Sequence, residues 1–147
     1  MKRERDIQLI VIDYLQMIDH DNGTAQNNIG NVPGKLKALA AELQIPVMVL
    51  STLGRQLEKR ADKRPLLSDL PDNIATAVLE HADGILFLYR DDLYCESSPA
   101  KGFSELIPGR TLSPPPGEVL LSYDAKLSRF SEVTIPDSNM RGLQEEA

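Results

Sequence analysis

The sequence predicts an α/β fold: a mostly parallel sheet flanked by helices, with a β-hairpin toward its carboxyl end. Three observations carry that prediction. Short continuous apolar runs recur at 9–12, 47–50 and 85–89, each about a strand long and each followed by a polar or charged group. Between the first two runs lies a helix-period stretch, with Leu36, Leu39, Ala40 and Leu43 at i, i+3, i+4 and i+7. Beyond Ser97 the chain changes to serine, proline and glycine punctuation around short apolar segments, as a hairpin requires.

Taken in order, the charged opening gives way to Leu9-Ile10-Val11-Ile12-Asp13, a β-branched run of the kind found in strands buried on both faces of a parallel sheet. Asp13 then stands at the carboxyl end of that strand. The stretch from Asp19 to Asn31 is rich in Asn, Asp and Gly and reads as a long polar loop. The helix follows with Pro33 in its first turn, where the missing N–H costs nothing. It ends at Gln44-Ile45-Pro46, and Val47-Met48-Val49-Leu50-Ser51 starts a second buried strand, giving the strand, helix, strand order of a crossover. Residues 54 to 65 read as a charged linker, 74 to 82 as a short helix, and Ile85 to Tyr89 as a third strand closed by Arg90-Asp91-Asp92. Ser113-Pro114-Pro115-Pro116-Gly117 makes a stiff hairpin tip, and Glu118 to Tyr123 alternates like a strand. No internal repeat is present.

The 147 residues suit one domain, and a chain of this size buries roughly 68 to 70% of its unfolded surface. Sixteen Lys and Arg against 22 Asp and Glu give a net charge of −6, the wrong sign for a chain whose affinity comes from neutralising phosphates. Three Phe, four Tyr and no Trp leave few rings for stacking on bases, so DNA binding by the chain alone is disfavoured. Cys95 is the single cysteine, which excludes an internal disulfide, and the opening residues do not have the form of a signal peptide or a spanning helix. The expected compartment is the cytoplasm, with no membrane association.

An apolar strand ending in one aspartate is weak evidence of function, but the words around it are specific. Leu9-Ile-Val-Ile-Asp-Tyr-Leu-Gln-Met-Ile18 closely resembles the Walker B segment of DnaB-type replicative helicases, in whose C-terminal RecA-like ATPase domain the strand-end aspartate orients the water shell of a nucleotide-bound magnesium. The similarity runs on through Leu36 to Ser51, then Arg55, Glu58, Arg60, Asp62-Lys-Arg-Pro65 and Ser68-Asp-Leu70, and returns at Ala82-Asp83 and Phe87-Leu-Tyr-Arg-Asp91. It covers about residues 2 to 131. The resemblance implies a truncated RecA-like P-loop NTPase fold, with 1–135 as a partial helicase C-terminal domain and 136–147 as a flexible polar tail. It assigns Asp13 as the magnesium position, acting through water, and ATP and magnesium as the family's ligands.

The same resemblance marks what these residues lack. The family's phosphate-cradling Gly-x-x-x-x-Gly-Lys-Ser/Thr loop and its general-base glutamate lie upstream of Walker B, and neither has a counterpart in residues 1–147. Met1 falls in what resembles the helix leading into Walker B. Thr52 stands where the family usually has a glutamine that senses the γ-phosphate. A gapless match puts Arg110 at the lysine, and Leu112 at the arginine, of a Lys-x-Arg pair that reaches the neighbouring subunit's nucleotide. Such an arginine is worth ~10³ to 10⁵ in rate in related systems. Where the family's DNA-contacting loop carries Arg-Glu-Ser-Gly, this chain has Pro71-Asp72-Asn73-Ile74.

Each candidate also has a plainer reading. Asp13 is either a magnesium ligand or a leftover strand-end carboxylate without phosphates to hold the ion. The basic residues from Arg55 to Arg64 form a nucleic-acid patch or, with Glu58 and Asp62 among them, a solvated linker. Arg110 acts in trans or is an inert exposed arginine. His20, His81 and Cys95 have neither metal-ligand spacing nor a partner nucleophile. The expectation is a chain that does not hydrolyse ATP alone and needs no cofactor of its own. It would act by associating with DnaB-type helicase subunits or with itself. A split helicase whose P-loop comes from another chain, and a truncated remnant without a role, are the alternatives.

Overall fold

Three-residue apolar segments are enough to make strands when a neighbour completes the ladder. Val47–Val49 (β2) runs parallel to Ile10–Ile12 (β1), with Ile10 beside Val47 and Ile12 beside Val49. The computed structural model describes residues 7–18, 31–110 and 119–133, so the loop from Asp19, the proline-rich tip, the residues before Ile7 and the tail from Pro136 lie outside the described residues. The chain divides into two compact units, Met1–Ile85 and Leu86–Ala147.

In the first unit, helix α1 (Val32–Leu43) carries its proline in the first turn and stops where Gln44 turns left-handed, at φ 52 and ψ 43. Pro46 cannot extend a helix, and the chain goes straight into β2. Helix α2 (Asp72–His81) starts directly after Pro71, whose carbonyl accepts the N–H groups of Ile74 and Ala75 at 3.0 and 2.9 Å. The core of this unit is small. Leu15 and Ile74 are buried against each other, and Ile18, Val32, Leu36, Val49 and Val78 pack around them. A bidentate Lys37–Asp83 ion pair ties α1 to the residues just after α2 at the surface.

The expected linker from Gly54 to Pro65 is a built segment. Arg60 donates from Nη1 to Asp69 Oδ1 at 3.0 Å, from Nε to the Asp62 carbonyl at 2.7 Å, and from Nη2 to the Arg64 carbonyl. Asp69, itself buried, also accepts the Leu66 N–H at 2.7 Å, and its carbonyl accepts the Gly54 N–H at 2.7 Å. Periodicity shows none of this, because a side chain that folds back on its own loop leaves no pattern in sequence.

The second unit holds a four-stranded sheet in the order β3-β4-β5-β6, from Ile85–Tyr89 (β3), Phe103–Arg110 (β4), Val119–Asp124 (β5) and Arg129–Glu132 (β6). The hairpin expected around 118–123 is the antiparallel β4–β5 pair, with Phe103 opposite Ser122 and Leu106 opposite Val119. The sequence reading missed β6. Its four residues are all exposed, so it has no buried face to announce it; the turn before it closes through Ser128 at φ 48 and through Asp124 Oδ1, which accepts two backbone N–H groups.

The expectation of buried strands is corrected in the first two apolar runs, and the third is likewise covered on one side only. In β3, Phe87 and Tyr89 are buried while Leu86 and Leu88 are exposed; in β1 and β2, Val11 and Met48 are 54% and 53% exposed. The runs are apolar on both sides, but among the described residues only one side of each is covered. The parallel part of the architecture is the β1–β2 pair, and β4 through β6 pair antiparallel.

Arg90, just past β3, clamps the second unit. Its Nε and Nη2 donate to the two Asp92 oxygens at 3.1 and 3.0 Å, and its guanidinium lies 4.2 Å from the centre of the Tyr123 ring. The Gly102 N–H also donates to Asp92 at 3.3 Å. The Arg90 hydrogen bond holds the Asp92 carboxyl below its ordinary value of 3.8; burial opposes it, and the Gly102 N–H and the charges of Arg90 and Lys101 add to it. A carboxyl whose folded pKa lies below its unfolded one contributes stability that is complete above the unfolded value and is lost as pH falls through the folded value. The stability of the chain toward denaturant is therefore expected to fall below about pH 4, and Asp92→Asn to flatten that decline. An unchanged pH profile in the variant would show that the clamp does not sense protonation.

Candidate nucleotide-proximal site

Parallel strands bring their carboxyl ends to the same side, which is where open α/β sheets bind ligands. Here that side of the β1–β2 pair carries Asp13, directly after β1, and Ser51 and Thr52, two and three residues beyond β2. All three are exposed, so the first expected site residue, Asp13, and the second, Thr52, come together at one sheet end. Arg110 belongs to the other unit, as the exposed last residue of β4. Leu112 lies outside the described residues.

Gln16 joins the two strand ends. It sits in the short 3-10 turn Leu15–Met17, which is fixed by the Leu15 N–H donating to the Leu50 carbonyl at 2.8 Å and by the burial of Leu15. From there Gln16 Nε2 donates to Ser51 Oγ at 2.9 Å, while its Oε1 is a long 3.5 Å from the Thr52 N–H. Ser51 Oγ in turn donates to the Thr52 carbonyl at 3.2 Å. Sequence reasoning passed over Gln16. The signal was its place one turn after Asp13, close enough to reach across to the next strand.

Chemically the end of the pair offers one solvated carboxylate and two hydroxyls. That suits a water-mediated magnesium contact, but a Mg²⁺ site of this type also relies on substrate phosphates. Holding phosphates takes oriented backbone amides and a cation. In the segment after β2 the Gly54 N–H is committed to the Asp69 carbonyl and the Arg60 guanidinium to Asp69, Asp62 and Arg64, while Arg55 and Lys59 stay exposed. A Cβ on Gly54 would stand 3.2 Å from the Asp69 oxygen, so this glycine serves a close approach within the loop, not an open anion cradle. The strand-end cluster thus suits the metal-facing part of a nucleotide site, and Gly54 and Arg60 form no phosphate cradle. Among the described residues, no group of three His, Cys, Asp or Glu side chains could hold a metal ion, and no helix is long and apolar enough to cross a membrane.

The segment aligned with the DNA-contacting loop is built into the fold. Pro71 and Asp72 start α2, and Ile74 is 1% exposed, one of the most buried side chains described.

The solved structures on which it superposes define its class: with a small parallel pair in one unit and an antiparallel sheet in the other, the chain is part of a RecA-like ATPase domain. The more particular assignment comes from comparison with known proteins: the profile of the DnaB-like helicase C terminal domain matches residues 1–132, and the chain belongs to that family. It is similar to the replicative DNA helicase DnaB of Buchnera aphidicola subsp. Schizaphis graminum, 40% identical over 139 residues that cover 92% of this chain and 29% of that protein. The DnaB of Pasteurella multocida is 43% identical over 131 residues, covering 86% and 27%. Among solved structures, an isolated ATPase domain superposes with a TM-score of 0.78 at 38% identity, over 86% of this chain and 44% of that one. A DnaB-like replicative helicase solved for its interactions with primase gives the same TM-score and identity, over 86% and 31%. The chain therefore spans under a third of the length of the curated relatives it matches.

Proposed function

We propose that residues 1–147 form a catalytically silent part of a DnaB-like helicase C-terminal domain, acting by association and not by turnover. Its relatives bear the name of replicative DNA helicases, so the process it serves is ATP-dependent DNA unwinding in replication, in the cytoplasm. Its own contribution is to bind a helicase subunit or another copy of itself and so to modulate ring assembly. The observation that carries this reading is the strand-end cluster: Asp13, Ser51 and Thr52 are placed and bridged by Gln16, while the neighbouring Gly54 amide and Arg60 guanidinium are engaged elsewhere. Thr52 is too short to act as the family's γ-phosphate glutamine, and Arg110 stands without the following arginine, since Leu112 takes that place.

A second reading, a split helicase whose phosphate-binding loop another chain supplies, is favoured by the bare apolar face of the β1–β2 pair. Both readings share the expectation that the chain alone does not turn over ATP. The test is to mix the purified chain with an intact DnaB-type helicase, then follow complex size and the hydrolysis rate. A complex with altered ring size or rate, and no hydrolysis by the chain alone, is the expected outcome. Magnesium-dependent hydrolysis by the chain alone would overturn the proposal.

A further inference from the structure

The strand-end hydroxyls sit on a short strap held at both ends. Its first anchor is Leu50, whose N–H donates to the Ile12 carbonyl at 2.9 Å and whose carbonyl accepts the Leu15 N–H at 2.8 Å. Its second is Gly54, whose N–H donates to the Asp69 carbonyl at 2.7 Å. Ser51, Thr52 and Leu53 alone lie between them, and Ser51 and Thr52 are exposed. A span this short has little slack, so the place of Asp69 sets the place of both hydroxyls.

Asp69 is in turn placed by its own side chain, which is 5% exposed. Its Oδ1 accepts from Arg60 Nη1 at 3.0 Å and its Oδ2 from the Leu66 N–H at 2.7 Å, while its backbone N–H donates to the Leu66 carbonyl at 2.9 Å. The same turn runs on into α2. Leu70 is buried, and the Pro71 carbonyl takes the N–H groups of Ile74 and Ala75. Ile74 packs on Leu15, whose N–H holds the Leu50 carbonyl. The links therefore close a ring from the end of β2 through the Arg60 loop and α2 to the 3-10 turn and back to β2, all within the first unit.

We propose that the Asp69 carboxylate is the positioning group of this ring, so that a change in the Arg60 loop reaches the Ser51 and Thr52 hydroxyls. An asparagine at 69 has one acceptor oxygen for the two donors, so the turn loosens and its carbonyl moves, taking Gly54 with it. Coupling of this kind is reciprocal: whatever engages the strap is also felt at the Arg60 loop. Periodicity gives no sign of such a linkage, since Gly54 and Asp69 meet through backbone atoms.

The test is amide NMR with hydrogen exchange on the 147-residue chain and on its Asp69→Asn and Gln16→Ala variants. In Asp69→Asn the Ser51 and Thr52 amides and the Gln16 side-chain amide are expected to shift, and exchange at Gly54 to rise about tenfold more than at Leu50, the scale of one lost hydrogen bond. In the opposite direction Gln16→Ala, which cuts the strand-end bridge, is expected to shift the Leu66 and Asp69 amides. Should Asp69→Asn not fold, Arg60→Gln, at a side chain 30% exposed, carries the same comparison. Shifts confined to residues 60–70 would reduce Asp69 to a local loop brace and overturn the proposal. Exchange that rises equally at Gly54 and Leu50 does so too, because it reports a general loosening, and so does a Gln16→Ala chain whose Leu66 and Asp69 amides stay in place.

Discussion

Ile74→Ala is expected to lower the unfolding free energy of the first unit by about 3 kcal/mol, within the range of roughly 2 to 5 found for truncating large buried aliphatic side chains. The size of the effect follows from how few residues share the task. Ile74 and Leu15 are the two buried members of this core cluster, ringed by Ile18, Val32, Leu36, Val49 and Val78, so one side chain joins α2 to α1, to β2 and to the turn after β1. Five partly buried neighbours spread over α1, α2, β2 and the turn after β1 cannot all close on the space that is left. Urea unfolding followed by far-UV circular dichroism measures it, with the denaturant slope unchanged. A loss under about 1 kcal/mol would mean that the stability of this unit lies in other contacts.

Asp69→Ala is expected to cost about 2 to 3 kcal/mol, because it strands two donors at once. The Arg60 guanidinium loses its carboxylate and the Leu66 N–H loses its acceptor. The upper part of the range for a broken buried pair does not apply, since the Arg60 side chain is 30% exposed and water can reach it. Asp69→Asn keeps one acceptor oxygen and should fall between wild type and alanine. The same unfolding measurement serves, and limited proteolysis between Arg55 and Arg64 should speed up in the alanine variant. Equal stability of all three proteins would show that the loop is held by its backbone turns alone.

What was legible in the sequence was whatever leaves a period or a word. The strand cores at Ile10–Ile12, Val47–Val49 and Ile85–Tyr89, and the helix from Val32 to Leu43 with its proline start, were read from apolar spacing. The family was read from the words around Asp13 and along 36–51, and the comparisons show that assignment to be sound. Exposure was not legible, because a run such as Leu86-Phe87-Leu88 is equally apolar whether one face is covered or two. β6 was not legible either: Arg129-Phe130-Ser131-Glu132 is held by its pairing with β5 and by a short turn, and by no buried stripe. At the site, Asp13 and Thr52 were found by resemblance. Gln16, which bridges the strand ends, had only its place three residues after Asp13 to mark it, and its pairing with Ser51, 35 residues away, was visible only in three dimensions. At Ile74, a segment aligned with the family's DNA-contacting loop supplies the most buried side chain of α2.

The most direct test of the central claim is calorimetric titration of the purified 147-residue chain with ATP in the presence of magnesium. One carboxylate and two hydroxyls, with the nearby amide and guanidinium already bonded within the loop, should give no heat beyond dilution up to about 1 mM nucleotide, the upper end of ordinary enzyme affinities. Saturable binding at one site, abolished by Asp13→Ala, would contradict the account and make the chain a nucleotide-binding domain in its own right.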